Sequence, residues 1–322
     1  MIGSVPHLFC FGFGYTAETL ARRLLAEGWR VSGTCREDAR QRRLAEEGFR
    51  IHRLDRDRPL AEPAAAFAGV TDIVISVPPD AAGDPVLDQH AADLVAHAPL
   101  RWIGYLSTTG VYGDTGGALV AETAPLAPTS ERSRRRVDAE RSWLDLHRRH
   151  GLPVHVFRLA GIYGPGRSSL DQVRAGTARR IERPGHLFSR IHVDDIATVL
   201  RASMARPDPG RIYNVCDDDP AAPADVVAHA CRLLGCEPPP LIPFDLAAAQ
   251  MSAMARSFWR DNRLVDNGRI GRELGVRLRY PDYRVGLAAI LAAETADPAG
   301  SEPEGAAPGR EPGPAAHDAR SR

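Results

Sequence analysis

The sequence has 322 residues, 43% of them apolar and 25% charged, which is enough chain for one large core or two modest ones. Its 41 basic residues balance 41 acidic ones, so no overall positive field draws a polyphosphate backbone, and nucleic acid is not an expected partner. Every one of the 41 basic residues is arginine, and the absence of lysine excludes a Schiff-base lysine and a phosphate loop of the GxxxxGK[ST] type.

The first apolar run, HLFCFG at residues 7–12, is followed by Gly14 and then by an amphipathic stretch at 16–26 with Leu20, Leu24 and Leu25 at helical spacing. This reads as strand, tight turn and helix. Gly28 ends the helix, RVSGT at 30–34 resumes extended character, and a helix at 37–47 and a strand at 49–54 follow. DIVISV at 72–77, a helical stretch at 86–98, WIGYLS at 102–107 and VHVFRL at 154–159 continue the alternation, with 154–159 as its last clear strand. Strands alternating with helices of this length imply an α/β fold, a doubly wound parallel Rossmann sheet whose ligands lie beyond the carboxyl ends of the strands. Residues 1–165 and 188–217 are assigned to this core, and 166–187 with 218–290 to a smaller interleaved substrate lobe. From Ala293 onward the chain contains no Val, Ile, Leu, Phe, Met, Trp or Tyr, so 291–322 reads as a disordered tail.

Five cysteines without a CxxC pair argue against a disulfide framework or a zinc ribbon, and no metal site is expected. The N-terminus lacks a basic segment ahead of its broken apolar run, and no apolar run is long enough to span a bilayer. The expected location is the cytoplasm, without membrane association. The expected partner is a small-molecule substrate, and the expected assembly a monomer or homodimer.

The loop after the first strand, Gly12, Phe13, Gly14, Tyr15, Thr16 and Ala17, fits GxGxx[GA]. Gly12 permits the tight turn, Gly14 lets the backbone approach a pyrophosphate, and Ala17 keeps the helix close to the strand, with the helix N-terminus offering N–H groups to the phosphates. At the end of the second strand an NAD site usually carries an acid, whereas here Arg36 precedes Glu37 and Asp38. A guanidinium pairs with a 2′-phosphate in forked geometry, so NADP is expected in preference to NAD, with an NAD site served by Glu37 or Asp38 as the alternative. Asp55 is a candidate contact to the adenine, and Pro78 with Pro79 a candidate lining of the nicotinamide side.

Three later strings, YLSTTGVYG at 105–113, RLAGIYGPG at 158–166 and RIHVDDI at 190–196, with IYNVCDD at 212–218, follow the glycine loop in order. Together they resemble the extended short-chain dehydrogenase/reductase family, the NAD-dependent epimerase/dehydratase group. STTGVYGDTGG, SRIHVDDIA and LGVRLRYPDYRVGL resemble its atypical, YeeZ-like branch. The resemblance implies an NAD(P)-linked oxidoreductase or epimerase/dehydratase acting on a nucleotide-sugar-like or other hydroxylated carbonyl compound. It assigns Thr108, beside Ser107, to the family's Ser/Thr position.

The family's YxxxK helix is where the chain departs. Matching VDAE to the usual LAAE places Arg132 at the tyrosine and Arg136 at the lysine. A guanidinium stays protonated and does not exchange a proton as a phenol does, although it can stabilise an oxyanion or hold a carboxylate or phosphate. Tyr112, Tyr163 and His192 are the weaker acid/base candidates, and His192 alone ordinarily titrates near neutrality. Loss of both YxxxK residues motivates the rival expectation, a non-catalytic NAD(P)-binding redox sensor or scaffold.

Overall fold

Period-2 alternation inside continuously buried strands sets the architecture. In β1 (His7–Phe11) every residue is buried; Leu8 and Cys10 belong to the core on one face of the sheet, Phe9 and Phe11 to the core on the other. A strand of this kind is stable only when both faces are covered, as in a doubly wound sheet. The computed structural model describes residues 5–97 and 100–296.

The central sheet contains seven strands: β1, β2 (Arg30–Cys35), β3 (Arg50–Arg53), β4 (Asp72–Ile75), β5 (Trp102–Thr108), β6 (Val154–Leu159) and β7 (Ile212–Val215). Their spatial order is β7-β6-β5-β4-β1-β2-β3, with every pairing parallel. β7 lies beyond 154–159, the last strand that alternation alone identifies. It is only four residues long, and its polar Asn214 breaks the apolar run. The strand order reverses between β1 and β4, and a ligand crevice opens at the carboxyl edge of such a switch point.

One face is covered by the helices Tyr15–Ala26 and Val193–Ala205, which pack on each other; the other by Pro85–Ala96 and Glu131–His150. Asp84 caps Pro85–Ala96 by accepting from Val86 N at 2.9 Å, and Ser130 caps Glu131–His150 by accepting from Ser133 N at 3.1 Å. Each such cap contributes about 1 kcal/mol.

Residues 166–187 and 218–290 carry short helices and two-residue to three-residue strands. Arg180–Glu182 pairs with Leu241–Pro243, while Leu264–Val265 reaches back to pair with Leu119–Val120 of the core segment. The helices Ser169–Arg174, Pro223–Leu234 and Tyr283–Ala296 share a separate apolar cluster around Leu170, Val226, Ala230 and Leu287. The last helix carries regular structure past residue 290 to Ala296, into the stretch the sequence assigns to a tail; residues 297–322 lie outside the described residues. No helix of the described residues is long and apolar enough to cross a membrane.

Candidate active site

At the end of β1 the chain turns through Gly12 at φ +81°, a conformation that L side chains rarely adopt. A Cβ there would stand 3.0 Å from Val77 Cγ2 and 3.1 Å from Val77 N, so the β1 and β4 loops approach as only glycine permits. Gly14 is the extended N-cap of Tyr15–Ala26 and supplies no side-chain cap. The first-turn N–H groups of Tyr15, Thr16 and Ala17 are therefore left to an external acceptor. Thr16 and Ala17 are buried under the turn, and Phe13 packs on Phe49 while its carbonyl accepts from Arg40 Nη2 at 2.8 Å. Tyr15 donates to Pro165 O at 3.0 Å and lies under Arg167, tying this loop to the YGPG segment. A glycine cradle with an uncapped helix terminus fits a dinucleotide pyrophosphate.

Beside it, at the end of β2, Arg36 is exposed and has no ion-pair or hydrogen-bond partner among the described residues. Its neighbours are engaged: Asp38 pairs with Arg53, and Arg40 donates to Glu18 at 2.6 Å. After β3, the Asp55 carboxylate accepts from Asp57 N at 3.1 Å. After β4, Pro78 is exposed and Pro79 buried. Asp80 receives Arg56 through two bonds of 2.7 and 2.8 Å, and this guanidinium holds the Asp80 carboxyl below the usual carboxylate range.

At the end of β5, Thr108 is half-buried. Its Oγ1 accepts from Gly110 N at 3.1 Å, which leaves the hydroxyl proton free to donate. Ser133, on the inner face of Glu131–His150, comes alongside: its Oγ lies 2.9 Å from the position a Cβ on Gly110 would take, and Thr108 Oγ1 lies 3.4 Å from the same point. Arg136 turns inward from that helix and donates to Leu106 O at 2.8 Å and Tyr105 OH at 3.1 Å. Arg132 stays exposed with its guanidinium 5.2 Å from the centroid of the Phe258 ring, and it has no acidic partner among the described residues.

The remaining sequence candidates have structural partners. Ser107 donates to Glu140 Oε1 at 2.5 Å. Glu140 in turn accepts from Arg158 Nη2 at 2.7 Å, and Arg158 Nη1 donates to Tyr112 OH at 2.9 Å. Tyr112 donates to Asn214 Oδ1 at 2.6 Å, and burial pushes its phenol up from its ordinary value. His192 caps the helix Val193–Ala205 by accepting from Asp194 N at 3.2 Å, wedged between Tyr163 and Tyr280, and burial lowers its imidazole from its ordinary value. Tyr163 is buried with its hydroxyl 3.4 Å from Asp282 O.

Thus Thr108, Ser133 and Arg136 gather at one strand end, while Ser107, Tyr112 and His192 are held in the interior. Ser133, Glu140 and Arg158 are absent from the sequence candidates; Glu140 and Arg158 stand in strings read for other purposes, and only their mutual burial identifies them. Among the described residues no three His, Cys, Asp or Glu side chains gather as a metal ion would require.

The model of the NAD dependent epimerase/dehydratase family matches residues 12–216. Protein YeeZ of Escherichia coli K12 is 31% identical over 282 residues, covering 84% of this chain and 95% of YeeZ. A conserved protein of unknown function from Silicibacter pomeroyi is 50% identical and superposes with a TM-score of 0.82 over 90% of this chain and 99% of its own. The dTDP-glucose 4,6-dehydratase of Bacillus anthracis, solved with NAD, shares the fold at 17% identity and a TM-score of 0.72, covering 91% of this chain and 97% of its own.

Proposed function

The chain belongs to the NAD dependent epimerase/dehydratase family, and on that footing we propose that it is an NADP-linked oxidoreductase or epimerase-like enzyme of the atypical, YeeZ-like type. The observation that carries this reading is the shared edge. The glycine cradle, the unpaired Arg36 and the free Thr108 hydroxyl all stand at the carboxyl ends of parallel strands. Bound there, the dinucleotide supplies hydride exchange.

Each residue then has a task set by its chemistry. The N–H groups of Tyr15, Thr16 and Ala17 hold the pyrophosphate, and Arg36 holds the 2′-phosphate. Asp55 lies on the adenine side, and Pro78 and Pro79 line the nicotinamide side. Thr108 donates to the reacting oxygen of the substrate. Arg136, anchored on Leu106 O and Tyr105 OH, is a fixed positive charge near that oxygen and favours its anionic form. Arg132, backed by Phe258, meets an anionic part of the substrate. The similar fold of dTDP-glucose 4,6-dehydratase and of UDP-glucuronic acid 4-epimerase from Bacillus cereus supports a hydroxylated carbonyl substrate of the nucleotide-sugar type. The 166–187 and 218–290 lobe shapes its cleft. A cytoplasmic monomer or homodimer completes this reading.

The second reading is a dinucleotide-binding redox sensor or scaffold without turnover. The engagement of Tyr112 and His192 in the interior favours it, since both are committed to structural hydrogen bonds. Thr108→Ala separates the two in single-turnover assays with NADPH and a panel of nucleotide-sugar and carbonyl substrates. An enzyme loses about 10-fold or more in rate with cofactor affinity intact. Absence of turnover in the wild type across the panel, with NADPH bound, favours the sensor.

A further inference from the structure

Two of the five cysteines, far apart from the other three in role, sit at one helix end. The helix Pro223–Leu234 closes with Gly235 in the left-handed conformation (φ 66°, ψ 28°), and two backbone bonds seal it: Cys236 N to Cys231 O at 3.0 Å and Gly235 N to Arg232 O at 3.3 Å. This 6→1 and 5→2 pair defines a Schellman closure, whose geometry brings the side chains of the residues at its two ends into contact. Here those residues are Cys231 and Cys236. Cys231 is buried and Cys236 exposed, and the neighbouring Cys236 thiol helps burial to raise the Cys231 thiol above its ordinary value. The backbone bond between these two residues keeps their Cα atoms close, as a disulfide, which spans a Cα separation of about 4.4–6.8 Å, requires.

We propose that Cys231 and Cys236 are a peroxide-responsive thiol pair that forms a reversible intramolecular disulfide across this helix end. Cys236, the exposed member, attacks as thiolate: its sulfur bonds to one peroxide oxygen, the O–O bond breaks, and hydroxide leaves to be protonated to water. Cys231 then gives up its proton and attacks the Cys236 sulfenic sulfur, forming the S–S bond as the S–O bond breaks and a second water departs. The thiols lose two electrons and one peroxide becomes two waters.

The other three cysteines have no such partner. Cys10 is fully buried and burial pushes its thiol far up; Cys216 is buried with its thiol on Val265 O; Cys35 is buried with its thiol on Glu37 O. The bridge would pin the connector from Cys236 toward the strand Leu241–Pro243. Arg180, which interacts with Cys231 and donates to Pro239 O at 3.3 Å, already ties that connector to the paired strand Arg180–Glu182.

The test is to treat the reduced full-length protein with dilute hydrogen peroxide, then count thiols in denaturant and map peptides by mass. The expected result is a drop from five titratable thiols to three, a monomeric product lighter by about 2 Da, a Cys231–Cys236 linked peptide, and full recovery with dithiothreitol. Cys231→Ala should instead trap a sulfenic acid on Cys236, readable with a dimedone probe. Peptide mapping of the wild type decides the matter without any variant. Cys236 carried to sulfinic acid with Cys231 still a free thiol, or disulfide-linked dimers through Cys236, would overturn the proposal.

Discussion

Replacing Glu140 by alanine tests the buried network beneath Thr108. The Glu140 and Arg158 side chains are 2% and 3% exposed, and their closest contact is 2.7 Å. The carboxylate also takes Arg158 Nε on both oxygens at 3.2 Å and the Ser107 hydroxyl at 2.5 Å. Without Glu140, the guanidinium keeps only Tyr112 OH and Glu122 O as acceptors and remains buried as an uncompensated charge. Removing one partner of such a pair costs about 3–5 kcal/mol. At about 2–4 °C per kcal/mol for a chain somewhat shorter than this one, the melting temperature should fall by roughly 6–20 °C. Urea denaturation read by circular dichroism and fluorescence measures the loss, with an unchanged m-value showing that the folded state is otherwise intact. The double variant Glu140→Leu with Arg158→Met removes both charges and should recover a large share of it. A single-variant loss below about 1 kcal/mol, or a double variant no more stable than the single, would refute the reasoning.

Gly12→Ala should abolish dinucleotide binding and cost about 1–2 kcal/mol of stability, because φ +81° is strained for alanine and its Cβ meets Val77; cofactor titration and a thermal melt check both. Asp217 should make the fold lose stability with rising pH. Burial pushes its carboxyl up to about 8, against the nearby Arg190 and with the help of Asp219 and Asp218, and neither carboxyl oxygen has a hydrogen-bond partner among the described residues. The folded chain thus holds a proton that the unfolded chain, titrating near 3.9, releases, so this stability is fully present below about pH 4 and is lost up to about pH 8. Asp217→Asn should flatten that decline and exceed the wild type at pH 8; melting curves across pH that keep the wild-type slope would contradict it.

The doubly wound core was legible because burial on both faces writes itself into long apolar runs, and residues such as Leu8 to Phe11 carry the signal without any partner being known. β7 was not, since four residues with Asn214 among them look like a loop until β6 and the Tyr112 hydroxyl are in place. The strands Leu119–Val120 and Leu264–Val265 are too short for any periodicity and exist through pairing with each other across 145 positions. In the site, the glycine loop is local chemistry and reads directly. The commitment of Ser107 to Glu140, the inward turn of Arg136 and the approach of Ser133 to Gly110 depend on how the helix Glu131–His150 docks against β5. The same docking decides which of two adjacent residues, Ser107 or Thr108, keeps a free hydroxyl.

Calorimetric titration of the cofactor-stripped protein with NADPH and NADH, repeated on Arg36→Ala, tests the central claim most directly. The wild type should bind NADPH more tightly than NADH. In the variant NADPH should weaken by about 10-fold to 100-fold, the worth of charge-assisted bonds to the 2′-phosphate, while NADH binding is unchanged. A wild type that prefers NADH would contradict it, as would a variant that loses both cofactors alike or a protein that binds neither.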